Sequence, residues 1–467
     1  MVRQMFLGRK KEIEKLNALY HSKGFQFVVM YGRRRVGKTT LLSEFVKDKR
    51  HLFFVAEEYS KERALADFSQ QIFKFFDLEG LLSFSSWNEA FDFFVKKAGA
   101  ERIVLTIDEY PYLAGADRSI SSFLQNYIDH TLHKTNIFLI ICGSSMSFME
   151  KDVLSYKSPL YGRKTAEMKV EPFDFYESCR FFPNYNAEEK VMAYSILGGV
   201  PQYLSYFDDH KGIRENVLRV ILTKGSILYE EPKNILKQEL REPMVYNTII
   251  EAVAMGASRM NEISTKTRMN SDKCARYIGS LIDLGILEKE HPIGERTDRK
   301  SIYRIRDNLF KFWYRFVFHY ISLTEQDESE FLYDAVIQPD WNLYIGKSIF
   351  ENICRQYLWK RNKNRSLPFV FANIGRWWGN NPREKRQEEI DIVAVDRDKA
   401  IFCECKWRNE HIGMEAYNAL VEKSRLLKEY SPARYFLFSK SGFTDELVQY
   451  AKNNNLVELV NLEGLFI

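Results

Sequence analysis

Residues 32–40 read Gly-Arg-Arg-Arg-Val-Gly-Lys-Thr-Thr, with four residues between the two glycines and a lysine and threonine directly after the second. That order suits one chemistry. Glycines let successive backbone N–H groups curl around a phosphate at the start of a helix, Lys38 reaches the terminal phosphates, and the Thr39 hydroxyl can ligate Mg²⁺. Val36 and Thr40 flank the Gly37-Lys38-Thr39 core and belong to the same cradle, while Arg33–Arg35 are expected to extend into solvent. Further on, the run Ile-Val-Leu-Thr-Ile ends in Asp108-Glu109. Two carboxylates closing an apolar strand need partners, because a desolvated charge is costly. Asp108 is expected to hold the water shell of Mg²⁺ and Glu109 to polarise the attacking water, making Lys38 and Glu109 the catalytic pair. A third apolar run, NIFLIICGSS, delivers Ser144 to the same strand-end edge, where its hydroxyl can sense the terminal phosphate.

A second constellation lies near the C-terminus: Glu351 in a helical pattern, Asp391 in EEIDIVAVD, and Glu404 and Lys406 in IFCECKW. If residues 396–399 form a hairpin turn, Val395 faces Ala400, Val393 faces Phe402, and Asp391 faces Glu404, with Cβ atoms about 5 Å apart on one face. Two carboxylates that close raise each other's pKa unless a cation neutralises them, and a divalent ion held by Glu351, Asp391 and Glu404 would do so. Lys406, beside two anions, stays protonated and suits stabilisation of a charged transition state, so Asp391, Glu404 and Lys406 are the catalytic candidates here. The plain alternative is a salt bridge between Lys406 and its acidic neighbours. Cys403 and Cys405 share the opposite face and read as packing residues, and Trp377 and Trp378 could stack bases, although adjacent strand residues face opposite ways.

The elements that must carry these residues follow from the rest of the pattern. The chain has 467 residues, so several domains are expected, each with its own core. Short β-rich runs at 26–31, 52–56, 102–107 and 136–142 alternate with helical patterns, which predicts a parallel sheet covered on both faces. The expected division is a P-loop core over 1–170, a helical lid over 171–240, a winged helix over 241–308, a linker over 309–340 and a last α/β domain over 341–467. In the winged helix, Cys274, Tyr277, Ile278, Leu281 and Ile282 form the buried stripe of the recognition helix and Lys273, Arg276 and Ser280 its outer face. The wing tip adds Arg296, Arg299 and Lys300, diluted by Glu288, Glu290, Glu295 and Asp298, so contact with DNA and contact with protein are equally open. Lys and Arg total 68 against 63 Asp and Glu, a net charge of +5 that permits a polyanionic partner without demanding one. The six cysteines lack paired CxxC spacing and read as reduced thiols of a cytoplasmic protein, and no run approaches the ~20 apolar residues of a membrane span.

The segments FLGRKKEIEKL, GRRRVGKTTLL, VLTIDEYPYL, CGSSMSFM, SPLYGRKT and LGGVPQYL resemble the archaeal-type ATPase family, a branch of the AAA+/STAND ATPases, over roughly residues 1–310. The resemblance implies ATP and Mg²⁺ as cofactors, Gly8 and Arg9 near the adenine, Gly199, Val200 and Pro201 capping the nucleotide, and Arg163 approaching the phosphates. From about 345 onward the order helix, strand, hairpin, helix, strand, helix, strand is similar to the PD-(D/E)xK nuclease core, and GRWWG through FCECKW resembles the nuclease-like domain that ends many archaeal-type ATPases. The fold expected is therefore multidomain α/β: a P-loop parallel sheet with a helical lid, a winged helix and a restriction-endonuclease-like C-terminal domain. The function implied is a Mg²⁺-dependent ATPase whose nucleotide state controls a nuclease-like domain acting on DNA, with no membrane partner and with homo-oligomers open. Its rival is a STAND-type regulatory switch whose nuclease-like fold binds DNA or a partner without cleaving.

Overall fold

The computed structural model describes residues 6–78, 83–295 and 300–466. The chain divides into two compact units, one of Met1–Pro172 with Val200–Gln202 and one of Phe173–Gly199 with Tyr203–Ile467.

The first unit is built on β1 (Gln26–Tyr31), β2 (His51–Val55), β3 (Val104–Asp108), β4 (Phe138–Gly143) and β5 (Ala166–Lys169). All are parallel, in the order β2-β3-β4-β1-β5. Every residue of β1, β3 and β4 is buried, as expected for strands covered on both faces. Val28, Met30, Val104, Ile140 and Cys142 pack with Leu41, Leu42 and Phe45 of the helix Lys38–Val46 into one core. The four apolar runs of the sequence are β1, β2, β3 and β4, with β2 at one edge of the sheet; β5, with Glu167 and Lys169 among its four residues, is the other edge strand, one that composition did not announce.

In the second unit, residues 173–199 are fixed by later helices. Tyr344 Oη donates to the Ser195 carbonyl at 2.7 Å, Asn308 Nδ2 to the Tyr194 carbonyl at 2.8 Å, and Gln356 Oε1 accepts the Phe175 N–H at 2.7 Å. Residues 309–340, expected as a linker, are mostly helical, and Asn308–Phe316 buries Leu309, Phe310, Phe312, Trp313, Tyr314 and Phe316. The helices Pro243–Ala254, Met260–Thr267 and Ser271–Asp283 precede a two-stranded antiparallel sheet of β6 (Leu287–Glu290) and β7 (Ile302–Ile305). Cys274, Ile278 and Leu281 are buried and Lys273 and Arg276 exposed, as read from the sequence, while Tyr277 and Ile282 of the expected stripe and Ser280 of the expected outer face are half-buried. Arg296, Asp298 and Arg299 lie outside the described residues.

A second five-stranded sheet follows, ordered β12-β11-β10-β9-β8, from β8 (Asn373–Asn381), β9 (Arg386–Asp396), β10 (Lys399–Lys406), β11 (Ser431–Ser439) and β12 (Val457–Asn461). β8, β9 and β10 are antiparallel neighbours, and β11 and β12 join in parallel through the helices Met414–Ser424 and Asp445–Asn453. Val393, Val395, Ala400, Phe402 and Leu437 form its core with Leu420 and Leu447 of those helices. Among the described residues no helix is long and apolar enough to cross a membrane.

Candidate functional site

The phosphate loop is shaped by close backbone approach. A Cβ on Gly32 would lie 2.4 Å from the carbonyl oxygen of Val170, the residue directly after β5, so the backbone there leaves room only for glycine. Arg35 and Gly37 adopt positive φ, 69° and 85°, and Gly37 caps the helix Lys38–Val46. The loop thus bends directly into the start of a helix, where the first N–H groups can receive an anion. Lys38 is 5% exposed, and its Nζ donates to the carbonyls of Gly32 at 2.8 Å and Arg33 at 3.1 Å, spanning the loop. Val36 is buried, and its carbonyl accepts from Arg9 Nη2 at 2.9 Å. Arg9, 4% exposed and itself at φ 59°, also meets Glu12 at 3.1 Å, and the preceding Gly8 has φ 71°. The pair Gly8-Arg9 thus braces the loop from behind through Val36. Pro201 Cγ lies 3.8 Å from where a Cβ on Gly37 would stand.

At the ends of β3 and β4 the carboxylates are held in order. Thr39 Oγ1 donates to Asp108 Oδ2 at 2.7 Å, and Asp108 Oδ1 accepts the Glu109 N–H at 2.9 Å. Asp108 is 1% exposed, so both its oxygens are engaged inside the protein. Glu109 is held at φ 51°, and its Oε2 accepts from Ser144 Oγ at 2.8 Å and Ser144 N–H at 3.2 Å. Thr39, Asp108, Glu109 and Ser144 therefore form one chain of contacts along the strand ends. Thr40 is exposed on the same helix. Arg163 is elsewhere engaged: its guanidinium pairs with Asp129 at 2.8 and 2.6 Å and with the Pro159 carbonyl at 2.9 Å, so contact with phosphate would first break that pair.

In the second unit, the β9–β10 hairpin has the register read from the sequence. Asp396 pairs with Lys399, Val395 with Ala400, Val393 with Phe402 and Ile392 with Cys403. The ladder stops there, and one step on the Cys405 N–H donates to Asp391 Oδ2 at 2.7 Å. Burial, then the neighbouring Glu404 and Glu351, push the Asp391 carboxyl up to about 7. Glu404 is 5% exposed; it pairs with Lys406 through Oε1 and lies 3.5 Å from Lys423 Nζ through Oε2, which is buried without a hydrogen-bond partner. Burial works against the Lys406 charge, yet Glu404 and Asp391 hold it above the ordinary lysine range.

Three carboxylates bring oxygens within 4.8 Å of one another, Glu351, Glu389 and Asp391. Glu404, turned towards its two lysines, stands outside that set. Glu389 was not foreseen, although its place two residues before Asp391 on the same strand face was the available signal. Trp378 is buried, and Trp377 packs against the core of the sheet. Cys403 and Cys405 are buried on the opposite face, where Cys405 meets Cys354.

The first of these sites lies within a stretch that is similar to known proteins. A family profile described as an ATPase domain predominantly from Archaea matches residues 6–207, and one of archaeal and bacterial proteins of unknown function matches residues 313–419. An uncharacterized protein of Methanocaldococcus jannaschii is 34% identical over 435 residues, covering 91% of this chain and 92% of its own. An uncharacterized ATP-binding protein of Pyrococcus abyssi is 25% identical over 285 residues, 52% of this chain and 83% of its own. Among solved structures, the Walker-type ATPase of Pyrococcus abyssi is similar with TM-score 0.50 and 20% identity, covering 67% of this chain and 97% of that one, a likeness of fold. The chain belongs to the family of that Methanocaldococcus protein, and within it carries an archaeal-type P-loop ATPase domain followed by a C-terminal domain with a separate sheet.

Proposed function

We propose that the protein binds and hydrolyses ATP with Mg²⁺ and that its nucleotide state controls a nuclease-like C-terminal domain acting on or binding DNA. One observation carries the ATPase reading: the Thr39 hydroxyl and the Asp108 carboxylate meet at 2.7 Å beside a Glu109 fixed by Ser144. Thr39, backed by Asp108, would hold Mg²⁺, which neutralises the charge developing on the transferred phosphoryl group. Lys38 would exchange the loop carbonyls it now bonds for the terminal phosphates, and Gly32, Val36, Gly37 and Thr40 would line their cradle. Glu109 orients the attacking water, and Ser144 keeps its carboxylate in place. Gly8, Arg9 and Pro201 would border the base and sugar, and Arg163 would be available to phosphate after leaving Asp129. Lys38→Ala is expected to abolish phosphate release, and Glu109→Gln to retain binding while slowing turnover by about 10²–10⁴. Full turnover by both variants would refute the assignment.

For the second unit we read the three helices and hairpin over 241–308 as a winged helix, residues 171–240 as a lid and 341–467 as a PD-(D/E)xK-like domain. The close grouping of Glu351, Glu389 and Asp391 supports a divalent-cation site there, and Lys406 would stabilise a charged phosphoryl transition state. Labelled DNA incubated with Mg²⁺ or Mn²⁺ tests it: cleavage unaffected by Asp391→Ala and Lys406→Ala removes both residues from the mechanism. The ion pairs of Lys406 and Lys423 with Glu404 favour a second reading, a STAND-type switch that binds DNA or a partner without cutting, because they neutralise the acid internally. Intact DNA after long incubation, with no Mn²⁺ bound at Asp391, would decide for it.

A further inference from the structure

The β6–β7 hairpin is fastened to the edge strand of the C-terminal sheet. The Ile293 N–H donates to the Arg376 carbonyl at 2.9 Å, and a Cβ on Gly375 would stand 3.3 Å from the Ile293 side chain. This is the point where the β8–β9 register shifts, between Gly375 and Trp377. The hairpin also brings charge. Glu290 of β6 accepts from Arg304 Nη1 of β7 at 2.7 Å and lies 3.7 Å from the Arg376 guanidinium. From its other edges the same guanidinium meets Glu351 at 3.5 Å and pairs with Glu389. Arg376 is therefore shared between the hairpin and two of the three clustered carboxylates. Its side chain is 17% exposed, and that of Glu351 12%. Arg376 Nε and Glu351 Oε2 are both buried, face each other beyond good hydrogen-bond geometry, and have no hydrogen-bond partner.

A cation and a divalent metal ion cannot share the same half-desolvated carboxylates without strong repulsion. An arginine free to reach water would yield, since an exposed ion pair holds little free energy. With its side chain 17% exposed and its guanidinium engaged by Glu290 of the hairpin, Arg376 has little water to move into, its outlet being on the side of Glu389, whose side chain is 45% exposed. We propose that Arg376 is a resident counter-ion that keeps divalent cations out of the Glu351–Glu389–Asp391 cluster, and that the hairpin holds it there, so that metal loading requires the hairpin to lift. This rests on reading the cluster as a divalent-cation site.

Mn²⁺ binding to the full chain, followed by electron paramagnetic resonance in an Asp108→Asn background that silences the nucleotide-side metal, separates the two ideas. Arg376→Gln and Ile293→Ser should each tighten Mn²⁺ binding about tenfold, the scale on which outer partners tune metal sites. Adding Asp391→Asn should remove the gain. Equal affinity in the parent and both variants overturns the guard while leaving the metal site standing; no Mn²⁺ bound at the cluster by any of them overturns both. If Arg376→Gln fails to fold, Ile293→Ser, which alters no charge, decides alone. Amide exchange of the unmutated chain gives a further arm: protection of the Ile293 N–H should fall as Mn²⁺ fills the cluster, and unchanged protection at saturation overturns the proposal.

Discussion

Asp391 is an aspartate whose surroundings favour its proton. Burial, Glu404 and Glu351 raise it from 3.8 to about 7, against the opposing pull of Lys406 and the Cys405 N–H. A group whose folded pKa lies above its unfolded value contributes stability that is complete below the unfolded pKa and is lost as pH rises through the folded one. The window for Asp391 therefore runs from about 4 to about 7, and above it the ionised carboxylate strains the fold. Asp391→Asn keeps an oxygen for the Cys405 N–H and removes the charge. It should raise the melting temperature by roughly 2–4 °C near pH 8 and leave it nearly unchanged near pH ~3.5, below the window, as calorimetry would register. Equal shifts at both pH values would mean that the carboxyl titrates as it does in water. Ser144 calls for a different measurement. Its hydroxyl and N–H hold Glu109 Oε2, which places it to position that carboxylate. Ser144→Ala should lower kcat about tenfold with KM for ATP unmoved, and a rise in KM alone would instead place the hydroxyl on the nucleotide.

What the sequence revealed at the level of elements depended on period and length. The inner strands of the first sheet are uninterrupted apolar runs because both of their faces are covered, and the β9–β10 register follows from a short turn between alternating residues. The edge strand β5 carries too few residues and too much charge to show a period. Asn308–Phe316 is an aromatic core helix at the start of the stretch expected as a linker, and the polar composition of the residues after it disguised the helices that follow. Glu389 was hidden by the acidic run around it, and the bond between Ile293 and Arg376 joins segments whose separation in sequence gives no local signal. Gly32 shows how a motif letter and an element meet. Its glycine is required by the Val170 carbonyl 2.4 Å from any added Cβ, a clash with backbone that no rotamer relieves. Gly32→Ala should therefore weaken ATP binding by about a hundredfold, roughly 2.7 kcal/mol, with the circular dichroism spectrum retained. Gly115→Ala, at a helical position where nothing lies within 4 Å of an added Cβ, is the matched control and should bind as the parent does. Equal loss in both would point to a general defect instead of the loop.

The whole chain poses a question of connectivity. The polypeptide leaves the first unit after Pro172, returns for Val200–Gln202, and leaves again for the remainder of its length. Among the described residues after Pro172, those three alone belong to the nucleotide-binding unit, and Pro201 Cγ sits 3.8 Å from the Cβ position of Gly37. A phosphate entering the loop must reorganise the Lys38 bonds to Gly32 and Arg33, and Pro201 is placed to feel that change at Gly37. Both neighbours of this tripeptide, Gly199 and Tyr203, belong to the second unit, so the chain crosses between the units on either side of Pro201. Control of the C-terminal cluster by nucleotide then requires a coupling free energy between the two binding events, which is reciprocal and typically about 1–3 kcal/mol. In a Glu109→Gln background, which holds ATP without turning it over, ATP should change Mn²⁺ affinity at the Glu351–Asp391 cluster by about tenfold, and Mn²⁺ should change ATP affinity by the same factor. Pro201→Gly should leave ATP bound and erase both effects, because a flexible residue absorbs the displacement that proline transmits. Titrations in which each ligand ignores the other would show that the two units work independently, whatever each of them catalyses.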